Sequence, residues 1–212
     1  MIRWLFFDMG YTLVDETLVW QARCREQAAM AEAREKRISE ADILHAIEQA
    51  SRDWLPQYRG ALAALGLTAA APYRSELEIL YSDAPEVLSR LCRRYSLGVI
   101  ANQAAGLEQR LSAFGIRQYF SLVVSSWESG VMKPDPGIFR LALEKAGCPP
   151  REAVMIGDRL DNDVLPAKAL GMKTLWIKQG FGALQTPWGP DCTPDWTAHS
   201  LRDLLHIDFS AL

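Results

Sequence analysis

Arg3-Trp4-Leu5-Phe6-Phe7-Asp8-Met9-Gly10-Tyr11-Thr12-Leu13 is the stretch on which the reading of this chain turns. An apolar run closed by an acid, with Gly and Thr close behind, predicts a short buried strand ending in a turn. In an open parallel α/β sheet, ligands sit just beyond the carboxyl ends of the strands. Asp8 therefore falls where chemistry is placed.

The pattern continues outward from that strand. Leu97 to Ala101, Phe120 to Val124, Ala153 to Ile156 and Thr174 to Ile177 read as further strands. Between them, Leu107 to Phe114, the segment opened by Asp135-Pro136, and Val164 to Leu170 read as helices, as does a start at Asp83-Ala84-Pro85-Glu86. Strands alternating with helices predict an α/β fold, a doubly wound, Rossmann-like parallel sheet. Residues 15–81 instead read as helical, with Ser39-Glu40-Ala41-Asp42 resembling a capping box that uses Asp in place of Glu. Inserted after the first strand, this segment is expected to form a small all-helical cap over the site, with 1–14 and 82–212 as the core. The tail from Gly180 carries Pro187, Trp188, Pro190, Pro194 and Trp196. It is expected to be an irregular wrap, packed on its own core or serving as a partner surface, with a short helix near Leu201 to Leu205.

Bulk properties narrow the class. A length of 212 residues with 49% hydrophobic content suits one large domain, or a core with a smaller insert. A formal net charge of -3 argues against a nucleic-acid sleeve or a basic membrane-binding face. Cys24, Cys92, Cys148 and Cys192 have no paired spacing, which fits reduced thiols in a cytoplasmic protein rather than a zinc site or disulfide framework. No apolar stretch has the length of a signal peptide or a membrane span. The sequence does not specify an oligomeric state.

Three more segments place polar residues at strand ends: Gly98-Val99-Ile100-Ala101-Asn102-Gln103, Gly130-Val131-Met132-Lys133-Pro134-Asp135-Pro136, and Met155-Ile156-Gly157-Asp158-Arg159-Leu160-Asp161-Asn162-Asp163-Val164. With the first segment, their order resembles the haloacid dehalogenase-like (HAD) hydrolase superfamily, over about 1–14 and 83–178. Lys133-Pro134-Asp135-Pro136-Gly137-Ile138-Phe139 and the run from Gly157-Asp158 to Gly171-Met172 carry it most closely. The resemblance implies Asp8 as a nucleophile that forms an aspartyl phosphate, splitting one hard step into two easier ones. It implies Lys133 as the catalytic lysine that pairs with phosphate. Met9, Gly10 and Asn102 join Lys133 as implied phosphate contacts. Asp8, Gly10, Asp158 and Asp163 become implied ligands of Mg²⁺, a cation that favours hard oxygen donors. Asn102 reads equally as a turn residue after a strand, and Thr12 as the tie of the turn after Asp8. The implied activity is Mg²⁺-dependent hydrolysis of a small phosphorylated metabolite.

Two positions depart from the family pattern. Its phosphatases commonly carry Asp, as general acid and base, where this chain has Gly10, and Ser or Thr where it has Ala101. Loss of a general acid is typically worth about 10²–10⁴ in rate. Tyr11, at a position usually Gly in the family, is one candidate surrogate, although a phenol of ordinary pKa about 10 is a poor base near neutrality. Asp15, Glu16 and His45 are others. An alternative reading is a non-catalytic member that binds a phosphorylated ligand or a protein partner. A third is dehalogenation or phosphonate cleavage. The retained acids argue against the metal-free branch, and Lys36 is the only lysine in the insert available for imine chemistry.

Overall fold

Leu5 and Phe7 point to one face of a central strand, Trp4 and Phe6 to the other, and all four are buried. The computed structural model describes residues 1–209, so the last three positions of the expected core range, 210–212, lie outside the described residues. The strands, in chain order, are β1 (Trp4–Phe7), β2 (Val14–Asp15), β3 (Ile79–Leu80), β4 (Ser96–Ala101), β5 (Leu122–Ser125), β6 (Ala153–Gly157), β7 (Lys173–Ile177) and β8 (Trp196–Ala198). The helices are α1 (Thr17–Ala29), α2 (Ala31–Glu35), α3 (Glu40–Arg52), α4 (Gln57–Ala64), α5 (Ala84–Leu91), α6 (Leu107–Ala113), α7 (Ser126–Ser129), α8 (Pro136–Ala146) and α9 (Leu165–Ala169).

Six strands form one parallel sheet in the order β5-β4-β1-β6-β7-β8, with Trp4 opposite Ser96 on one side and Ala153 on the other. A parallel sheet is covered on both faces, which is why its strands are continuously apolar rather than alternating. Leu5, Phe7 and Val99 pack with Val87, Leu88 and Leu91 of α5 and Leu107 and Leu111 of α6. On the opposite face, Trp4, Phe6 and Met155 pack with Ile138, Phe139 and Ala142 of α8. Asp135 caps α8 by accepting from the Gly137 amide at 2.7 Å, with Pro136 in the first turn.

The chain divides into two compact units. One comprises Met1–Val14, Leu80–Gln179 and Pro187–Leu212, and holds the parallel sheet. The other comprises Asp15–Ile79 and Gly180–Thr186. In the second unit, Ser39 and Asp42 form the expected capping box at the start of α3. The buried Tyr58 hydroxyl donates to Gln27 Oε1 at 2.5 Å, and that amide oxygen also accepts from the Ala71 N–H at 2.8 Å. Gly180–Thr186, read from sequence as tail, is held here. Ser51 Oγ donates to the Phe181 carbonyl at 2.6 Å, and the Phe181 ring meets Trp20 edge-on at 5.3 Å.

The structure corrects the tail and one helix. The tail contributes a sixth strand, β8, as well as the expected short helical segment, which runs over Leu201–His206 with 3-10 geometry. Asp195 pins β8 by accepting from the Thr174 N–H and hydroxyl at 2.8 and 3.1 Å. Trp196 packs edge-on against Phe209, whereas Trp188 is exposed. The helix expected over Val164 to Leu170 is preceded by a π-helical turn over Leu160–Val164 and spans only Leu165–Ala169.

Gly98 faces Phe6 across the β1–β4 ladder, and a Cβ placed there would lie 2.7 Å from the Phe6 ring. Overpacking of this kind costs about 1–3 kcal/mol. Gly98→Ala should therefore lower the unfolding free energy by that amount, read as a lower urea midpoint at unchanged slope, and an unchanged midpoint would show that the ring moves aside freely.

Candidate active site

β1 and β6 are neighbours, so the residues following them, Asp8 and Asp158, emerge side by side at the carboxyl edge of the sheet. The Asp8 N–H extends the ladder by one bond, to Ile156 O at 2.8 Å. The chain then turns sharply, with the Met9 carbonyl accepting from the amides of Leu13 and Val14 at 2.8 and 3.1 Å. The turn puts Tyr11 at φ 47, in the left-handed region. For a residue with a Cβ this conformation costs roughly 1–2 kcal/mol, which is why glycine is at home in it. The turn is tied by backbone rather than by Thr12: its hydroxyl is buried and has no hydrogen-bond partner among the described residues. The Met9 side chain belongs to the core.

Lys133 arrives from the loop after α7. Asn102, at the end of β4, grips its backbone with both ends of one amide: the Lys133 N–H donates to Oδ1 at 2.7 Å, and Nδ2 donates to the Lys133 carbonyl at 2.8 Å. So anchored, the ammonium lies 2.6 Å from Asp8 Oδ1 and 2.6 Å from Asp163 Oδ1. Burial works to lower the lysine pKa, but the carboxylates of Asp163 and Asp8 outweigh it and hold the group charged, above its ordinary value.

Asp163 is fully buried in the π-helical turn, where its Oδ2 accepts from the Arg159 N–H at 3.1 Å. Burial, with the Asp8 charge adding to it and Lys133 opposing, raises its pKa to about 6. It fits because Gly157 has no side chain: a Cβ there would lie 2.3 Å from the Asp163 carboxyl. Asp158 is buried, and its carbonyl accepts from Trp176 Nε1 at 2.6 Å. Arg159 pairs with Asp161 through Nε at 3.0 Å and through Nη2. Burial would lower its pKa, yet Asp161 chiefly holds it above the ordinary value.

One carboxylate oxygen each from Asp8, Asp158 and Asp163 lies within 4.8 Å of the others. Counting Asp161, four carboxylates face the two cations Lys133 and Arg159, a formal excess of two negative charges. An all-oxygen donor set with that excess suits a hard divalent cation. These residues can also present a carboxylate nucleophile, Asp8, beside a fixed ammonium.

The remaining candidates are accounted for elsewhere. Ala101 is buried at the end of β4. Gly10 bridges to Val14. Asp15 accepts from the Thr17 N–H and hydroxyl, Glu16 from Trp20 Nε1 and the Tyr73 hydroxyl, and Lys36 donates to the Gly66 carbonyl. His45 is exposed on α3. Sequence reasoning missed Trp176 as a support for Asp158, and Asn102 as the clamp on Lys133. Neither carries a sequence signal: Trp176 comes opposite Gly157 only once β6 and β7 pair. Among the described residues no helix is long and apolar enough to cross a membrane.

The chain belongs to the haloacid dehalogenase-like hydrolase family, whose model matches residues 2–171. It is 31% identical to a glyceraldehyde 3-phosphate phosphatase of Methanopyrus kandleri over 98% of this chain and 97% of that protein. It is 35% identical to a phosphoserine phosphatase of Thermus thermophilus over 59% of this chain and 49% of the relative. A pyrimidine 5'-nucleotidase of Escherichia coli is 38% identical over 57% of this chain and 53% of its own length. The matches thus span about half the length of the latter two relatives and nearly all of the first. A crystal structure described as a predicted phosphoglycolate phosphatase from Haemophilus somnus shares the fold, with TM-score 0.68 and 21% identity over 97% of each chain.

The gap at Gly157 is testable by a double-mutant cycle. Gly157→Ala should cost about 1–3 kcal/mol in denaturant unfolding. In an Asp163→Ala background, where the carboxyl is gone, that cost should fall by more than half. The same cost in both backgrounds would place the strain elsewhere.

Proposed function

We propose that this chain is a Mg²⁺-dependent phosphohydrolase that frees phosphate from a small phosphorylated metabolite through an aspartyl phosphate on Asp8. The observation that carries the reading is the Lys133 ammonium 2.6 Å from Asp8 Oδ1, beside two further acids within 4.8 Å. The phosphatases among its relatives support the same reading.

Asp8 acts as the nucleophile. Lys133, 2.6 Å from that carboxylate, holds it in place and offers its charge to the phosphoryl group. Met9, Gly10 and Asn102 contribute phosphate contacts, with Asn102 acting chiefly by fixing the Lys133 loop. Asp8, Gly10, Asp158 and Asp163 would hold Mg²⁺, which when bound offsets the repulsion between carboxylates and phosphate. The unit containing residues 15–79 supplies substrate selection.

Gly10 defines which substrates react well. Without a general acid at that position, a strongly basic alkoxide leaves slowly, whereas an aryl or acyl phosphate departs as a stabilised anion. The absence of acid chemistry at Gly10 and of a hydroxyl at Ala101 favours one second reading, a non-catalytic protein that binds a phosphorylated ligand.

Two measurements separate these readings. In calorimetry, Asp158→Ala should weaken Mg²⁺ binding by at least tenfold, and unchanged affinity would make the acids structural. In steady-state kinetics, Gly10→Asp should raise kcat/KM for an alkyl phosphate more than for an activated one, by a factor near the lower end of about 10²–10⁴. Equal and efficient turnover of both by the wild type would reveal a surrogate acid, and no turnover of either with Mg²⁺ bound would favour the ligand-binding protein.

A further inference from the structure

A cavity of about 430 Å³ opens beside the candidate site, lined by Asn102, Gln103, Ser126, Trp127, Val131 and Met132. Two of the few large apolar side chains left exposed on this protein stand in its wall: Trp127, 67% exposed, and Met132, 53% exposed. Two residues tie the wall of the cavity to the candidate site along the chain. Asn102 is both its wall and the clamp on Lys133, and Met132 immediately precedes Lys133.

Its polar groups are largely occupied by one another. The Gln103 N–H donates to Ser126 Oγ at 3.1 Å, Ser126 Oγ lies 3.3 Å from the Gln103 carbonyl, and Arg110 Nη2 donates to Gln103 Oε1 at 2.5 Å. The Asn102 amide is engaged on Lys133. The apolar part of the lining is an indole, a thioether and a branched aliphatic chain, which favours a flat apolar group over a hydroxylated one. Trp127 is held in place on α7: the Glu128 N–H donates to Ser125 Oγ, Ser129 Oγ donates to the Ser125 carbonyl at 2.7 Å, and Gly130 ends the turn at φ 69.

The leaving-group argument at Gly10 converges on the same chemistry by a separate route. A substrate that needs no general acid and brings a planar apolar group is an aryl phosphomonoester. We infer that the Trp127–Met132 cavity is the leaving-group subsite, and that it takes the aromatic ring of an aryl phosphate. The inference rests on the phosphohydrolase reading above. In the first step Asp8 forms a bond to phosphorus as the bond from phosphorus to the phenolic oxygen breaks. The phenolate leaves with that electron pair and takes its proton from solvent. Water then cleaves the aspartyl phosphate, releasing inorganic phosphate and restoring Asp8.

The test compares phenyl phosphate, acetyl phosphate, glycerol phosphate and a nucleoside 5'-monophosphate on wild type, Trp127→Ala, Trp127→Phe and Trp188→Ala, with Mg²⁺ present. The wild type should turn over phenyl phosphate with a higher kcat/KM than glycerol phosphate or the nucleotide. Trp127→Ala should raise the ratio of KM for phenyl phosphate to KM for acetyl phosphate about tenfold, the scale of one lost ring contact. Trp127→Phe should restore most of it. Trp188, equally exposed but in the tail, is the control, and its replacement should leave the ratio unmoved. A ratio unchanged in Trp127→Ala, with phosphatase activity intact, overturns the subsite and leaves the phosphohydrolase standing. A preference for the nucleotide that depends on Trp127 overturns the aryl assignment in favour of a nucleobase. No turnover of any of the four substrates overturns the phosphohydrolase reading and this inference with it.

Discussion

One ammonium bridging two carboxylates is the constraint around which this site is built. Lys133 Nζ sits 2.6 Å from both Asp8 and Asp163, with almost no exposure to water. A buried charge is tolerated only when it is paired and hydrogen-bonded. Each of the three groups therefore needs the others where they are, and the neighbouring structure serves that demand. Asn102 fixes the lysine backbone, the Arg159 amide holds the far oxygen of Asp163, and Gly157 leaves the space in which the carboxyl lies. The central position of β1, between β4 and β6, brings Asp8 to the same point at the carboxyl edge of the sheet.

Much of this was legible in the sequence, because it is local. A buried parallel strand is a short apolar run, and Asp8 and Asp158 follow such runs directly. Lys133 was legible only through the resemblance of Lys133-Pro134-Asp135-Pro136-Gly137-Ile138-Phe139 to the family, whereas Asp135 and Pro136 by themselves mark a helix start. The parts that escaped depend on tertiary approach. β8 has three residues, too few to show a period, and its place is set by Asp195 reaching back to Thr174. The grip of Asn102 on Lys133 joins residues 31 apart, and that of Trp176 on the Asp158 carbonyl joins residues 18 apart. A side chain that ends up serving a distant backbone carries no mark of it in its own neighbourhood.

The turn after Asp8 breaks two local rules at once. Tyr11 holds a backbone conformation that costs a bulky residue energy, and Thr12 buries a hydroxyl with no hydrogen-bond partner among the described residues. Violations of local preference concentrate at functional sites because the surroundings over-determine them. Here the surroundings are the Leu13 and Val14 amides bonded to the Met9 carbonyl and the core packing of the Met9 and Leu13 side chains. The turn is shaped by what encloses it, and its own residues bear the strain.

The chain passes between its two units four times, because Gly180–Thr186 returns to the unit formed by residues 15–79. That unit is consequently not a cassette. A graft carrying residues 15–79 alone to a related core would leave behind the Phe181 carbonyl that receives the Ser51 hydroxyl, and the ring that covers the edge of Trp20. Recombination between family members would have to exchange both stretches together, separated by a hundred residues of sheet, to keep the helical unit whole. Its divergence is thereby tied to a loop that belongs, by position in the chain, to the end of β7.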